Sequence, residues 1–205
     1  MLNKLQNYLT SLESLLVCYS GGVDSALLLH VCGLTAVRAE AVFVDSILVP
    51  RQDAAWARDF VTHGKIKLHT IEHDIFSVAG LDTNPENRCY LCKRAMLQKA
   101  VSLAHERGLK HVAEGSHIDD LQSWRPGRQA IRELGVCSPF EAVGMGKADI
   151  RKLSHDLGLP SWDKPSFSCL LTRLPHDELV DPAVLGRVEQ AEQMIRTLGL
   201  RDFRA

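Results

Sequence analysis

The sequence predicts an α/β fold in which a parallel sheet is flanked by helices. Three observations carry this expectation. Apolar runs of strand length alternate with longer segments of helical period, the pattern left by a parallel sheet covered by helices. The first run, Leu15-Leu16-Val17-Cys18-Tyr19, passes directly into Ser20-Gly21-Gly22-Val23-Asp24-Ser25, a strand-to-helix turn of the kind that binds phosphate. The chain has 205 residues, 45% of them hydrophobic and 24% charged, enough for one substantial core with a small appendage.

Taken in order, Leu2 to Glu13 reads as an opening helix and Leu15 to Tyr19 as the first strand. Ser25 to Val31 reads as a helix that ends near Gly33, and Ala39 to Asp45 as the second strand. Pro50 is placed to start a helix that carries Trp56 and Phe60 inward and stops near Gly64; Lys67 to Ile71 follows as the third strand. Turn residues, among them Asn84-Pro85-Glu86-Asn87, then precede a long helical stretch to Gly108 and the short strand His111 to Gly115. Asp119 to Gly127 reads as a polar loop, Arg128 to Leu134 as a short helix, and Ser138 to Ala142 as the last strand of the sheet. Lys147 to Leu157 is a helix, Trp162 to Pro175 has no consistent period, and Pro182 to Leu198 is a helix with proline in its first turn. The division expected is a main domain over 1–161 and a C-terminal segment over 162–205.

A net charge of −1 provides no general attraction to nucleic acid or to an anionic membrane. Met1 to Thr10 lacks a charged-then-apolar leader pattern and no run is long enough to span a bilayer, so a cytoplasmic location is expected. In a reducing compartment the six cysteines are candidates for metal ligation, catalysis or plain burial rather than a disulfide framework.

Ser20 to Ser25 has no Gly-Lys-Ser/Thr ending and is therefore not a Walker A loop. Gly21 and Gly22 let the backbone approach a ligand closely, the amides that follow open a helix, and Ser20 and Ser25 add hydroxyls. Asp24 either caps that helix or helps order Mg²⁺ and phosphates. Cys89 and Cys92 form a Cys-x-x-Cys pair, too few ligands for a tetrahedral zinc site, so a further ligand has to come from elsewhere. Cys169 lies in the polar stretch Asp163 to Arg173, where Lys164 and Arg173 would stabilise a thiolate. Three cysteines can hold an iron–sulfur cluster with one iron open; the alternative is that all three are packing residues. Cys18, Cys32 and Cys137 sit in or beside apolar segments and read as buried thiols.

Glu114, Asp119 and Asp120 follow a strand end, where open α/β sheets gather ligand groups. Glu114 and Asp120 are candidate catalytic carboxylates and Asp119 a candidate Mg²⁺ ligand. Arg125 and Arg173 have the fork that pairs with phosphate or carboxylate, Lys93 offers a cation for an anionic substrate, and Ser46 ends the second strand where adenosine would lie.

The Ser-Gly-Gly-x-Asp-Ser loop resembles the PP-loop of ATP pyrophosphatases. Together with Asn84-Pro85 through Arg88-Cys89-Tyr90-Leu91-Cys92-Lys93, Glu114 through Asp120, Arg125-Pro126-Gly127, and Asp163-Lys164-Pro165 through Cys169, it is similar to the LarE family. That family comprises ATP-dependent sulfur transferases of nickel-pincer nucleotide cofactor biosynthesis. The resemblance implies adenylylation of a carboxylate of pyridinium-3,5-dicarboxylic acid mononucleotide, attack by sulfur, and departure of AMP to leave a thiocarboxylate. It also implies ATP, Mg²⁺ and a 4Fe-4S cluster as cofactors. One-cysteine members give up the sulfur at the position of Cys169, whereas three-cysteine members use a cluster; this chain has Cys89, Cys92 and Cys169, and so resembles the second type. A sulfide donor or desulfurase and a homo-oligomer are the partners implied. Trp124 stands where the family more often has Tyr, Ser116-His117 where Thr-Asn is common, and members usually continue past the position of Ala205. The rival expectations are a PP-loop tRNA thiolase or amidotransferase, and a non-catalytic nucleotide and iron–sulfur regulator.

Overall fold

The structure, a computed structural model, describes residues 1–62, 66–122, 125–165 and 168–200. Gly64, Trp124, Ser166, Phe167 and the last residues, Phe203 to Ala205, lie outside the described residues. Four parallel strands form the sheet in the order β3-β2-β1-β4: β1 is Ser14–Cys18, β2 Arg38–Asp45, β3 Lys67–Glu72 and β4 His111–Ala113. Because β2 and β4 flank β1 on opposite sides, the chain reverses direction across the sheet at β1, and the crevice beyond the strand ends there is the place such sheets build ligand sites.

The strands alternate as a doubly covered sheet requires. Leu15 and Val17 of β1 and Ala41 and Phe43 of β2 face one core; Leu16 and Val42 face the other. The first core is closed by α1 (Leu2–Ser11), α2 (Val23–Gly33) and α3 (Arg51–Thr62). Leu5, Leu9, Leu27 and Leu28 are completely buried there, each contributing about 1.5–3 kcal/mol relative to an exposed side chain. The second core packs α4 (Arg88–Glu106), through Leu97, Ala100 and Ala104, and α5 (Gly127–Glu133), through Ala130 and Ile131, against the other face. Both cores thus draw on the same continuous apolar runs, whose successive side chains point to opposite faces of the sheet.

The predicted fifth strand, Ser138 to Ala142, is replaced by a short helix, α6 (Pro139–Ala142). Pro139 supplies no N–H to a ladder and suits the first turn of a helix. Strand pairing is reduced to the isolated bridge between Cys137 and Ala113, and Phe140 is buried in the first core. Helix α7 (Lys147–Asp156) packs on α2, and α8 (Pro182–Thr197) closes the described chain.

A third apolar cluster unites Leu48, Ile75, Leu81, Leu170, Leu171, Val180 and Leu185, with Leu91, Cys92 and Cys169 packed on it. It places the aperiodic 168–174 stretch beside the loops that leave β2 and β3. No helix among the described residues is long and apolar enough to cross a membrane.

Candidate active site

The turn after β1 is set by its glycines. Gly21 has a φ of +77°, and a Cβ there would lie 2.7 Å from the Cβ of Ala57, so a side chain is barred by both conformation and contact. Gly22 is the N-cap of α2. The Ser25 hydroxyl bonds to the Gly22 carbonyl at 3.2 Å and accepts from the Ser20 amide at 3.1 Å. The Ser20 hydroxyl lies 3.2 Å from that of Ser25. The two serines thus close the loop on itself, leaving the positive end of α2 directed at the crevice. Gly115, just beyond β4, also has to be small, since a Cβ would stand 3.0 Å from that of Asp24.

Asp24, in the first turn of α2, is engaged by a residue the sequence did not single out. Lys147 Nζ donates to both carboxylate oxygens of Asp24 at 2.7 Å. The Lys147 backbone N–H donates to Asp119 Oδ2 at 2.7 Å. Asp119 therefore holds the N-terminus of α7, and α7 aims a lysine into the crevice. The only local signal was a lysine opening a predicted helix; its partner lies in a distant part of the chain.

Asp120 is buried, accepts from the His117 amide at 3.2 Å and pairs with Arg125 at 2.9 Å. Ser46 is buried at the end of β2, where its hydroxyl accepts from the Leu48 amide and its carbonyl from Arg51. Glu114 accepts from the Ser116 amide at 3.0 Å, and from the hydroxyls of Ser116 at 2.8 Å and Ser138 at 2.7 Å. It also accepts from Lys93 at 3.0 Å. Burial pushes the Glu114 carboxyl up, but Lys93 and the serine hydroxyls outweigh burial and hold it below the ordinary glutamate range. Saturated with donors and ionised, Glu114 is an anchor for Lys93 rather than a proton carrier.

Lys93 adjoins the cysteine pair, so the Lys93–Glu114 pair ties the first turns of α4 to the end of β4. Cys89 and Cys92 lie in those first turns, Cys89 exposed and Cys92 half-buried. Cys169 is half-buried just before the 3₁₀ turn Leu170–Arg173. Burial first, then the charges of Cys169 and Cys89, push the Cys92 thiol up to about 12. Burial and Cys89 push Cys169 up as well, against the Leu171 amide, the Arg88 guanidinium and the Thr172 amide. The three thiols are thus within electrostatic reach of one another.

The expected role of Lys164 and Arg173 beside Cys169 is corrected. Lys164 pairs with Asp53 at 3.1 Å and stands 3.9 Å over the Trp56 ring. It also reaches the Gly21 carbonyl at 3.4 Å, so its charge lies at the Ser20–Ser25 turn and not at Cys169. Arg173 is buried against Glu192 at 2.6 Å and donates to Ser168 and to the carbonyl of Cys169. It clamps the cysteine segment to α8, and Arg88 is the cation that opposes the rise of the Cys169 thiol. Asn84, fully buried, completes the mount: its side-chain amide lies 2.7 to 3.3 Å from the carbonyls of Leu171, Leu174 and Pro175.

Among the described residues no three His, Cys, Asp or Glu side chains converge as ligands of a single metal ion. A cluster is ligated through separate irons, and its thiolates spread wider than those around one ion. Cys89, Cys92 and Cys169 suit that case: all-sulfur donors, Cys92 and Cys169 half-buried on an apolar mount, thiolates whose formation beside one another cationic iron would favour, and a helix N-terminus beneath two of them. Of the other thiols, Cys32 is buried as expected, while Cys18 and Cys137 are partly buried.

No protein-family model matches the chain. It is 34% identical over 209 aligned residues to an uncharacterized protein of Synechocystis sp., covering 99% of this chain and 76% of that protein. It is 26% identical to pyridinium-3,5-bisthiocarboxylic acid mononucleotide synthase of Lactiplantibacillus plantarum, over 96% of this chain and 72% of the relative. A tRNA-cytidine(32) 2-sulfurtransferase of Bdellovibrio bacteriovorus is 27% identical over 53% of this chain and 44% of its own length.

Proposed function

Since the chain belongs to the LarE-like family of PP-loop ATP pyrophosphatases and is thereby a sulfur-transfer enzyme, we propose that it adenylylates a carboxylate of pyridinium-3,5-dicarboxylic acid mononucleotide and converts it to a thiocarboxylate. One observation carries the reading. The Ser20–Ser25 loop after β1 and the three-thiol group share the C-terminal end of the sheet, where the Lys93–Glu114 pair at 3.0 Å joins the Cys89–Cys92 turns of α4 to the end of β4.

A substrate carboxylate oxygen attacks the α-phosphorus of ATP, and the bond to pyrophosphate breaks. The amides opening α2 and the amine of Lys147 face the charge that the departing phosphates gain. Asp24 and Asp119 are the carboxylates that would hold Mg²⁺ against those oxygens. Ser46 lines the adenosine side, and Arg125 with Asp120 fixes the turn that follows β4. A sulfur nucleophile then attacks the acyl carbon, the C–S bond forms, the C–O bond to AMP breaks and AMP leaves. Cys89, Cys92 and Cys169 would hold a 4Fe-4S cluster that, when bound with one iron open, supplies a renewable sulfide. Arg173 and Asn84 keep Cys169 in place, and a hydrosulfide source or desulfurase would replenish the sulfur.

The activation step is tested by exchange of labelled pyrophosphate into ATP. Exchange that requires the carboxylated nucleotide is expected. Tight ATP binding with no exchange would instead mark a nucleotide-binding regulator.

A further inference from the structure

His73 is used by nothing described so far, yet it is built into the fold with care. It follows β3 at the C-terminal end of the sheet, where its amide donates to the Asp45 carbonyl at 2.7 Å. The residue is buried, 3% exposed. Nε2 lies 3.7 Å from Cys92 Sγ, and Nδ1 is buried without a hydrogen-bond partner among the described residues. The ring also walls a groove of about 510 Å³ between β3 and α4 that includes Lys99, whose amine is fixed on the Glu72 carbonyl at 2.8 Å.

Burying an imidazole with one nitrogen unsatisfied is costly, and a packing residue would serve the same volume without that cost. What the buried ring gains is its contact with a sulfur. We propose that His73 is a positioning residue for Cys92: its Nε2–H donates a hydrogen bond to the Cys92 sulfur, orienting the thiolate and drawing electron density from it. The inference rests on the iron–sulfur reading of Cys89, Cys92 and Cys169. Hydrogen bonds to ligand sulfur stabilise the reduced cluster and so raise its potential, and partners of ligands govern how firmly the metal is held. No change in the charge of His73 is needed.

The test compares anaerobically reconstituted wild type with His73→Leu, His73→Asn and His73→Gln. Two quantities are read: the reduction potential by dye-mediated titration followed by electron paramagnetic resonance, and the rate of iron release to a chelator. His73→Leu, which fills the volume without a donor, is expected to move the potential to more negative values and to release iron about ten-fold faster or more. His73→Asn, whose shorter amide falls away from the sulfur, should do the same and carries the test if the leucine variant fails to fold. His73→Gln, whose longer amide reaches the place of Nε2, should stay near wild type in both readings. Full iron content with unchanged potential and release rate in both Leu and Asn variants would overturn the role of His73 alone. A wild type that takes up no iron would overturn the cluster reading and this inference with it.

Discussion

Lys147→Ala is expected to lower substrate-dependent ATP–pyrophosphate exchange by about 10²-fold or more, the scale of losing one fixed group that stabilises developing charge. The Lys147 amine is held between both oxygens of Asp24 at 2.7 Å, in the first turn of α2, the helix proposed to face the phosphates. A lysine poised there can pass from the carboxylate to a phosphate oxygen without crossing the crevice. Its backbone is pinned by Asp119, so the side chain moves about a fixed point. Lys147→Arg keeps the charge but spreads it over a planar fork, and should recover only part of the rate. Iron uptake should be unchanged in both variants, since none of the three thiols depends on Lys147. Exchange at the wild-type rate in Lys147→Ala would remove the residue from the activation step.

The second large effect is the converse. Cys169→Ala is expected to retain pyrophosphate exchange while losing the cluster and all thiolated product. Cys89→Ala and Cys92→Ala should lose the cluster likewise, because a cluster with one iron already open cannot spare a further ligand. Iron and acid-labile sulfide analysis of anaerobic protein, with the optical spectrum, reads this directly. Iron retained at the wild-type level in any one variant would take that cysteine out of the ligand set. The two sets of variants thus separate activation from sulfur delivery, as the structure separates the α2 and α7 ends from the α4 end of the crevice.

Much of this arrangement was legible in the chain. The strands β1, β2 and β3 and their helices follow from apolar runs alternating with helical segments and from punctuation, and the glycines of Ser20 to Ser25 announced the tight turn into α2. Ser138 to Ala142 misled because its apolar content suits a strand, whereas Pro139 decides for a helix and leaves only Cys137 to bridge β4. The side-chain pairings were the illegible part. Lys147 with Asp24, Arg173 with Glu192, and His73 with Cys92 join positions far apart in the chain, and nothing local to either partner signals them. Arg173 illustrates the consequence: read alone it is a phosphate fork, but its burial and its carboxylate partner make it a clamp. Asn84 is the opposite case, since an Asn-Pro turn was visible while its grip on three carbonyls beyond Cys169 was not.

The central claim, ATP-driven replacement of carboxylate oxygen by renewable sulfur, is tested most directly by following one reaction of the anaerobic iron-loaded protein. ATP, the carboxylated pyridinium mononucleotide and excess hydrosulfide are supplied; AMP, pyrophosphate, thiocarboxylate and the mass of the protein are then measured. The prediction is AMP, pyrophosphate and thiocarboxylate in equal amounts, exceeding one per chain, with Cys169 intact. Pyrophosphate released without thiolated product, or product that stops at one per chain as Cys169 becomes dehydroalanine, would contradict it.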